Sequence, residues 1–315
     1  MYAMPCGITA TSLIHNMPPD THLHLHIFCQ LVGIANRQRF LSLAQTPNIH
    51  ITLYPVDEAL LAAFPHPVDP FYPRAIYLRL LLGDLLPADI HRILYLDCDT
   101  LCCDNITPLF NTPLEDKVLG AVPDQACDDT EHRLTIGLDD SSNYYNSGVL
   151  LINLEQWRKV HAGQTIAQLL QLKGKDYPYP DQDAINILYS QHIQPLPFRY
   201  NTQYLFFCHP HLMRMRDNMK PLAIEASRHP AIIHFQSEIK PWMQGCDHPH
   251  TPLFLHYKSQ SPWASVPLLP PKPQPLSLKI KQRLRNGLQK LHLLPPIPSH
   301  FRPEFTPSAQ PLTHD

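Results

Sequence analysis

Residues 92–103 read Arg-Ile-Leu-Tyr-Leu-Asp-Cys-Asp-Thr-Leu-Cys-Cys, an apolar run that ends in two carboxylates separated by one residue. The segment from Ile93 to Leu96 is too short for a helix, has no polar alternation and follows Pro87. We therefore predict that it is a fully buried strand of a largely parallel sheet. Ligands of open α/β sheets bind outside the carboxyl ends of such strands, which is where Asp97 and Asp99 would lie.

The two aspartates have two possible interpretations. If the extended geometry continues past Leu96, Asp97 and Asp99 point the same way and Cys98 points to the other side. Two like charges so placed need a cation, and paired oxygen ligands suit Mg²⁺ or Mn²⁺, which keep positions open for phosphate oxygens. Alternatively, the segment is only a polar turn or a helix N-cap, because Asp and Thr favour those positions.

The bulk composition limits the classes of function. A chain of 315 residues with 44% hydrophobic and 17% charged residues is typical of a soluble globular protein with a large core. A net charge of −2 gives no support for general nucleic-acid binding. No apolar run approaches the roughly 18 residues of a spanning helix, and the N-terminus lacks a basic-then-apolar signal. We therefore expect a cytoplasmic protein with reduced thiols.

Strand-like and helix-like segments alternate before the aspartate pair. We predict, in chain order, a helix at Tyr2–His15, a strand at His22–Cys29, a helix at Ile34–Ala44, a strand at Ile49–Val56, a short helix at Asp57–Phe64 and a long helix at Tyr72–Leu85. This alternation indicates a βαβ architecture. The alternating histidines His22, His24 and His26 could form a metal-binding stripe, but a half-exposed strand face gives the same pattern, and we favour the strand face.

Three further motifs follow the aspartate pair. They are Tyr-Tyr-Asn-Ser-Gly-Val-Leu-Leu-Ile-Asn-Leu-Glu-Gln-Trp-Arg at 144–158, Asp-Gln-Asp-Ala-Ile-Asn at 181–186, and Ile-Ile-His-Phe at 232–235 followed by Lys-Pro-Trp at 240–242. In this order and spacing the chain resembles glycosyltransferase family 8, the retaining nucleotide-sugar enzymes of the GT-A fold, and especially the lipopolysaccharide core glucosyl- and galactosyltransferases. The resemblance extends from about Tyr2 to Leu294. It implies an α/β fold with a Rossmann-like, mostly parallel sheet and flanking helices.

The resemblance also implies a metal site and a donor site. Its metal ligands for Mn²⁺ or Mg²⁺ would be Asp97, Asp99 and His234, although a lone histidine at a strand end would ordinarily be interpreted as a hydrogen-bonded structural residue. The ion would act as a Lewis acid on the departing diphosphate. The residues that would bind the donor, including these two aspartates, are Tyr2 on the uracil, Arg79, Asp124, Asn146, Ser147, Ser237 in place of a usual glycine, and Lys240. Independently of the family, an arginine in an apolar helix needs a carboxylate partner such as Asp97 or Asp181.

The catalytic residues implied by the resemblance are Gln182, near the reacting face of the anomeric carbon, with Asp181 and Asp183 beside it. A carboxylate nucleophile with a covalent intermediate is one route to retention. Reaction on a single face, with acceptor and leaving group exchanging there, is the other, and we favour it. Residues 181–187 also predict the capped first turn of a helix.

The beginning of the chain departs from the family. Relatives begin with a strand of the type Ile-Val-x-Ala-Ser/Thr-Asp before an Asn-Tyr that resembles Met1-Tyr2, and that strand is absent here. We expect its absence to leave backbone groups and apolar surface of neighbouring strands uncovered. A misassigned start codon or a truncation would explain it, and we favour misassignment because everything after Tyr2 stays in register.

The C-terminal part changes in composition. We predict a catalytic domain at 1–265, a Pro-rich connector at 266–276, a basic amphipathic helix at 277–294 and a disordered tail at 295–315. A basic amphipathic helix can lie on an anionic membrane, whereas the alternative is a terminal helix docked on the domain. We favour membrane contact and therefore expect a cytoplasmic protein peripheral on the inner face of the cytoplasmic membrane.

Together these expectations describe a retaining hexosyltransferase that moves glucose or galactose from a UDP-sugar to the lipopolysaccharide outer core. Its partners would be the UDP-hexose donor, the core acceptor and the membrane surface. The alternative is a degenerate, non-catalytic family member that acts as a binding or scaffold protein. A metal-dependent nucleotidyltransferase would also use paired aspartates, but the Asn-Ser-Gly and Asp-Gln-Asp motifs disfavour it.

Overall fold

The first unit of the fold is a helix followed by a βαβ motif. The computed structural model describes residues 2–30, 32–67, 73–125, 129–138, 143–207 and 215–271. Helix α1 spans Ala3–Asn16, and strands β1 (Leu23–Cys29) and β2 (Ile49–Pro55) flank helix α2 (Ile34–Leu41). β1 and β2 pair in parallel. The predicted alternation of elements in this region is therefore confirmed.

The central sheet has the strand order β3-β6-β5-β7. Its strands are β3 (Arg92–Leu96), β5 (Leu119–Pro123), β6 (Tyr145–Asn153) and β7 (Ile193–Pro195). β6 runs antiparallel to both β3 and β5, and β7 runs parallel to β5. All residues of β6 except Asn153 are buried, so this strand lies at the centre of the core.

A second, smaller sheet begins directly after β3 in the chain. It consists of β4 (Thr100–Cys102), β9 (Ile232–His234) and β8 (Thr202–Gln203), with β4 antiparallel and β8 parallel to β9. The chain therefore passes from the central sheet to this second sheet within residues 97–99. The two aspartates lie at this crossover.

Short helices surround the sheets. The α-helices after α2 are α3 (Leu82–Leu85), α4 (Thr107–Phe110), α5 (Thr130–Thr135), α6 (Leu154–Lys159), α7 (Ala162–Lys173), α8 (Pro180–Tyr189), α9 (Lys220–Arg228) and α10 (Thr251–Gln260). The 3₁₀ helices are Glu58–Leu61, Arg74–Leu81, Gly174–Asp176, Ser190–His192, Phe198–Asn201 and Tyr204–Phe207. Within the described ranges, no helix combines the length and the apolar character needed to cross a membrane.

Two hydrophobic clusters form the core. The larger cluster surrounds the central sheet, whereas the smaller one joins α1, β4, β9 and α10. α1 packs so closely in the smaller cluster that a Cβ atom at Gly7 would lie 2.1 Å from the ring of Trp263. This packing fixes α1 beside the crossover between the sheets.

Two predictions about local structure are wrong. β3 is partly exposed along its whole length and pairs antiparallel with β6, so it is not a fully buried strand with parallel neighbours. The predicted long helix is instead the 3₁₀ helix Arg74–Leu81 followed by α3. Apolar periodicity over so short a segment does not distinguish three residues per turn from 3.6. The mixed α/β class itself is confirmed.

A smaller expectation also meets the structure. The strand-face interpretation of the histidines is confirmed, because His24 and His26 hydrogen-bond across the strand pair to Thr52 and Tyr54.

The end of the described chain is hydrogen-bonded to the loop that follows Lys240. The backbone N–H of Leu269 donates to the carbonyl of Trp242, and the N–H of Gln244 donates to the carbonyl of Leu269. The predicted basic helix at 277–294 and tail at 295–315 lie outside the described residues, as do residues 272–276 of the predicted connector. Through Leu269, the described part of the predicted connector therefore lies beside the loop that carries Lys240.

Candidate active site

The two aspartates lie in a tight turn. The backbone N–H of Thr100 donates to the carbonyl of Asp97 at 3.1 Å, and the Thr100 hydroxyl donates to the same oxygen at 2.8 Å. The expectation of an extended geometry past Leu96 is therefore wrong, although the turn still brings both carboxylates to one side. On α1, the Thr9 hydroxyl donates to the carbonyl of Thr100 at 2.7 Å and fixes the turn from behind.

A third ligand approaches the aspartate pair from the neighbouring strand. Thr100 and His234 are register partners in the β4–β9 ladder, and the N–H of Phe235 donates to the carbonyl of Asp99. Asp97, Asp99 and His234 each offer one ligand atom, and these atoms lie within 4.8 Å of one another. Two carboxylate oxygens and one imidazole nitrogen are a suitable donor set for a divalent cation.

The orientation of His234 follows from a chain of hydrogen bonds that begins at the backbone. The N–H of Gly148 donates to Asn146 Oδ1 at 2.9 Å, which fixes the orientation of that amide. Asn201 Nδ2 donates to the same oxygen at 2.7 Å, so Asn201 Oδ1 faces His234 Nδ1 at 3.0 Å. Nδ1 therefore carries a proton, and Nε2 faces the two carboxylates as a ligand.

Two buried cations neutralise the carboxylates. Arg79 Nη2 lies 2.8 Å from Asp97 Oδ1, and Arg79 Nε lies 3.2 Å from Asp181 Oδ2, so both predicted partners of this arginine are confirmed. Lys240 Nζ lies 2.6 Å from Asp99 Oδ2. Burial opposes ionisation of Asp99, but Lys240 and His234 outweigh it and hold the pKa of Asp99 below its ordinary value.

Gln182 is held at both ends of its amide. Its Oε1 accepts from Asn146 Nδ2 and from the backbone N–H of Ser147, each at 3.0 Å. Its Nε2 donates to the Tyr144 hydroxyl at 2.9 Å. Asp124 accepts from Asn146 Nδ2 at 2.8 Å. The structure thus brings together Asp124 and the predicted residues of two separate motifs in one buried network.

The two carboxylates beside Gln182 have different partners. Asp181 accepts from the Ser147 hydroxyl at 3.2 Å, and burial raises the pKa of Asp181 even though Arg79 opposes the shift. Asp183 Oδ2 accepts from the backbone N–H of Tyr179 at 2.9 Å. The predicted capped first turn is therefore present. The Asp183 carboxylate accepts from the backbone N–H at the start of α8, whereas the Tyr179 side chain makes no cap hydrogen bond.

Two predicted donor-binding residues lie at the edge of this network. Tyr2 packs edge-on against Trp242, with ring centroids 5.9 Å apart, and remains 42% exposed. Burial and the negative charge of Asp99 raise the pKa of Tyr2. Ser237 donates its hydroxyl to the carbonyl of Ile239 at 2.8 Å, so this hydroxyl is engaged by its own loop.

Sequence analysis assigned no role to several residues that complete the network: Tyr95, His132, Tyr144, Asn186 and Asn201. Asn186 exchanges two hydrogen bonds with the backbone of Tyr145 and thereby ties α8 to β6. Its spacing of four residues from Gln182 on a predicted helix was an available signal. Asn201 comes from a distant segment, and no sequence pattern pairs it with His234.

The fold and the site define a glycosyltransferase of the GT-A class. The chain is similar in structure to the galactosyltransferase LgtC, crystallised with donor and acceptor sugar analogs, with a TM-score of 0.73 and 26% identity over 89% of this chain and 96% of that one. The model of the Glycosyl transferase family 8 matches residues 1–246.

Two relatives from Escherichia coli (strain K12) extend the comparison. The chain is 27% identical to a lipopolysaccharide 1,2-glucosyltransferase over 297 residues, which are 91% of this chain and 82% of the relative. It is 30% identical to the lipopolysaccharide glucosyltransferase WaaO over 273 residues, which are 84% of this chain and 77% of the relative. The chain therefore belongs to glycosyl transferase family 8, and it is a glycosyltransferase related to the lipopolysaccharide enzymes.

Proposed function

We propose that this chain is a retaining hexosyltransferase that moves glucose or galactose from a UDP-sugar to the lipopolysaccharide outer core. The observation that carries the proposal is the convergence of Asp97, Asp99 and His234 within 4.8 Å, next to the buried cations Arg79 and Lys240. Such a combination suits a ligand that is strongly anionic, and the diphosphate of a nucleotide sugar has this chemistry. The relationship to lipopolysaccharide glucosyltransferases supports the choice of acceptor.

Asp97, Asp99 and His234 would hold Mn²⁺ or Mg²⁺. When bound, such an ion supplies Lewis-acid stabilisation of the charge that grows on the UDP leaving group. Lys240 would donate to a diphosphate oxygen, since its ammonium group is already directed at the cluster. Tyr2, 42% exposed beside Trp242, would stack on the uracil. Ser237 would lie along the diphosphate.

The network around Gln182 would bind and orient the hexose. Asp124 and Asn146 offer acceptors and donors to sugar hydroxyls, and Ser147 fixes the Gln182 amide through its backbone. Asp181 and Asp183 would stabilise positive charge at the anomeric centre. The side chain between these two carboxylates in the sequence is the amide of Gln182, and an amide is a poor nucleophile. This supports reaction on a single face of the sugar over a covalent glycosyl-enzyme intermediate.

The acceptor is anchored in a membrane, and residues 277–294 would bring the enzyme to it. Their basic residues are Lys279, Lys281, Arg283, Arg285 and Lys290, and no Asp or Glu occurs between His248 and Pro303. We propose that this segment binds the anionic inner face of the cytoplasmic membrane. Binding to vesicles that contain anionic lipid, compared between the full chain and residues 1–271, tests this part of the proposal.

The first test is calorimetric titration of UDP into the purified chain with and without Mn²⁺. We expect binding that needs the ion and is lost in Asp97→Ala/Asp99→Ala. The matched control Asp89→Ala/Asp116→Ala removes two exposed carboxylates and should bind like the wild type. The same titrations are run in parallel on a version extended upstream to the next in-frame start.

Donor and stereochemistry are then tested directly. The form that binds UDP is incubated with UDP-glucose or UDP-galactose and lipopolysaccharide acceptor, and NMR reports the anomeric configuration of the product. Retained configuration supports the proposal, and inverted product contradicts the mechanism. Failure of both forms to bind UDP with Mn²⁺ or Mg²⁺ would overturn the transferase assignment for this chain.

A further inference from the structure

One imidazole that sequence analysis did not single out reaches the catalytic network. His132 lies on α5, and its Nε2 is 2.9 Å from Asp183 Oδ1. The His132 side chain is 11% exposed and that of Asp183 is fully buried. Removing one partner of a histidine–carboxylate pair at this depth costs more than breaking a surface ion pair, because the remaining group is left buried and unpaired.

Asp183 is linked to Gln182 through the Tyr144 hydroxyl. Its Oδ1 also accepts from the Tyr144 hydroxyl at 2.6 Å, and that hydroxyl accepts from Gln182 Nε2 at 2.9 Å. A hydroxyl has one proton, so Tyr144 can accept from Gln182 in this geometry because its own proton goes to Asp183. The orientation of the Gln182 amide therefore depends on Asp183 remaining a hydrogen-bond acceptor.

The surroundings of His132 favour its charged form. Asp183 faces it from α8, Asp129 from the start of its own helix, and Asp124 from the end of β5. The rings of Tyr144 and Tyr179 lie edge-on to the imidazole, at 5.2 and 5.6 Å. The hydrogen bond to Asp183 is the largest cause that raises the pKa of His132 above its ordinary value, and partial burial opposes it.

We propose that His132 is a positioning residue of the transfer site: its ring holds Asp183 as an acceptor, and through Tyr144 this fixes the Gln182 amide against the bound hexose. The inference rests on the proposed function, because it assigns His132 a part in that reaction. It adds α5, which lies between β5 and β6 in the chain, to the elements that shape the sugar site.

The proposal predicts a specific pH dependence. The pKa of His132 is raised in the folded protein, so its contribution is fully present below about 6.5 and is lost as the pH rises through the higher folded value. Deprotonation leaves an imidazole that donates from Nε2 in only one of its two tautomers, so the wild-type kcat should fall on the alkaline side of this window. A side-chain amide at the same place donates at every pH and should show no such fall.

The test compares three variants in hydrolysis of the UDP-hexose donor, measured as kcat and KM between pH 5.5 and 9. His132→Ala should lower kcat by roughly tenfold to a hundredfold, with less than a threefold change in KM, because a misplaced catalytic group costs on that order. His132→Gln keeps an N–H at the Nε2 position, and it should recover most of kcat and lose the alkaline fall. His91→Gln is the matched control, since it removes the imidazole of the exposed His91–Glu155 pair and should behave like the wild type.

Three results would overturn the proposal. The first is a His132→Ala enzyme with the kcat and pH profile of the wild type. The second is a His132→Gln enzyme as impaired as His132→Ala, with both losing UDP affinity, which would indicate a purely structural role. The third is a wild type that hydrolyses no UDP-hexose although it is folded, and this result removes the proposed function as well. The first two leave the transferase assignment intact.

Discussion

Gly148 and His234 touch so closely that a methyl group at Gly148 would place its carbon 2.1 Å from Cε1 of the imidazole. The same carbon would lie 2.9 Å from Asp97 Oδ2. Gly148 lies in β6 of the central sheet and His234 in β9 of the smaller sheet, so this contact joins the two sheets at the metal-binding cluster. The absence of a side chain at residue 148 is therefore a condition for the three ligands to converge.

Gly148→Ala should disrupt the cluster. Real Cβ contacts are never this short, so His234 must leave its position, and Mn²⁺ affinity should fall by about tenfold or more. Mn²⁺ titration by calorimetry or electron paramagnetic resonance measures the effect. Gly33→Ala is the control, because no atom lies within 4 Å of a Cβ there. Unchanged Mn²⁺ affinity in Gly148→Ala would contradict the assignment of His234 as a ligand.

Lys240→Met should have opposite effects on the two ligands. Asp99 loses the ammonium group that lies 2.6 Å away, so Mn²⁺ no longer competes with it, and Mn²⁺ affinity in the absence of nucleotide should rise about tenfold. UDP affinity should fall about tenfold or more, because a charge-assisted hydrogen bond to the diphosphate is lost.

Separate titrations of Mn²⁺ and UDP check both directions for Lys240. Lys220→Met provides the control, since it removes a lysine whose partner Asp217 is fully exposed. A parallel loss of affinity for both ligands would argue against competition for Asp99 and would indicate damage to the fold.

Tyr144→Phe should lower kcat for UDP-hexose hydrolysis by about tenfold, because Gln182 Nε2 loses its shorter hydrogen bond and keeps only the 3.4 Å contact with Asp124 among the described residues. The free energy of unfolding should fall by about 1–3 kcal/mol for the buried groups left unpaired. Steady-state kinetics and urea unfolding measure the two effects. Tyr145→Phe is the neighbouring control, since the partner of its hydroxyl among the described residues is Asn143, at 3.3 Å, rather than Gln182. Equal kinetics in the two variants would exclude Tyr144 from positioning Gln182.

The protein should lose stability in mild acid through His250. Burial lowers the pKa of this 4% exposed residue to about 4. The unfolded chain therefore binds a proton that the folded protein excludes, and stability falls as the pH drops from about 6.5 towards 4. At pH 5 this linkage is worth about 2 kcal/mol.

His250→Gln should reduce the difference in unfolding free energy between pH 7 and pH 5 by that amount. Urea unfolding at the two pH values tests it, with the exposed His192→Gln as the control. An unaltered difference in His250→Gln would place the acid sensitivity at other groups.

Much of the fold was accessible from periodicity. The apolar runs predicted β1 and β2 to within one residue at each end. Periodicity failed at β3, because the burial and direction of a strand depend on the neighbours it receives from distant parts of the chain. It failed again at Arg74–Leu81, where a 3₁₀ helix replaces the predicted α-helix.

Local motifs likewise predicted several residues of the site but not the hydrogen bonds that link them. Asp97, Asp99 and His234 came from the sequence, and the structure brings them together. Asn201 and His132 did not, since they contribute through hydrogen bonds to residues more than 30 positions away. Single polar residues in loops and short helices carry no pattern that distinguishes such a contact from exposure to solvent.

The sequence by itself determined the order of strands and helices, the family and the identity of the charged residues, because these depend on local patterns and on motifs in linear order. The tertiary structure alone decided which tautomer His234 presents, which cations neutralise the aspartates and how Gln182 is oriented. These properties are set by hydrogen bonds and charges across 2.6–3.2 Å between segments far apart in the chain. Such contacts exist only after packing has brought β6, β9 and α8 together, since removal from water makes each unpaired polar group costly.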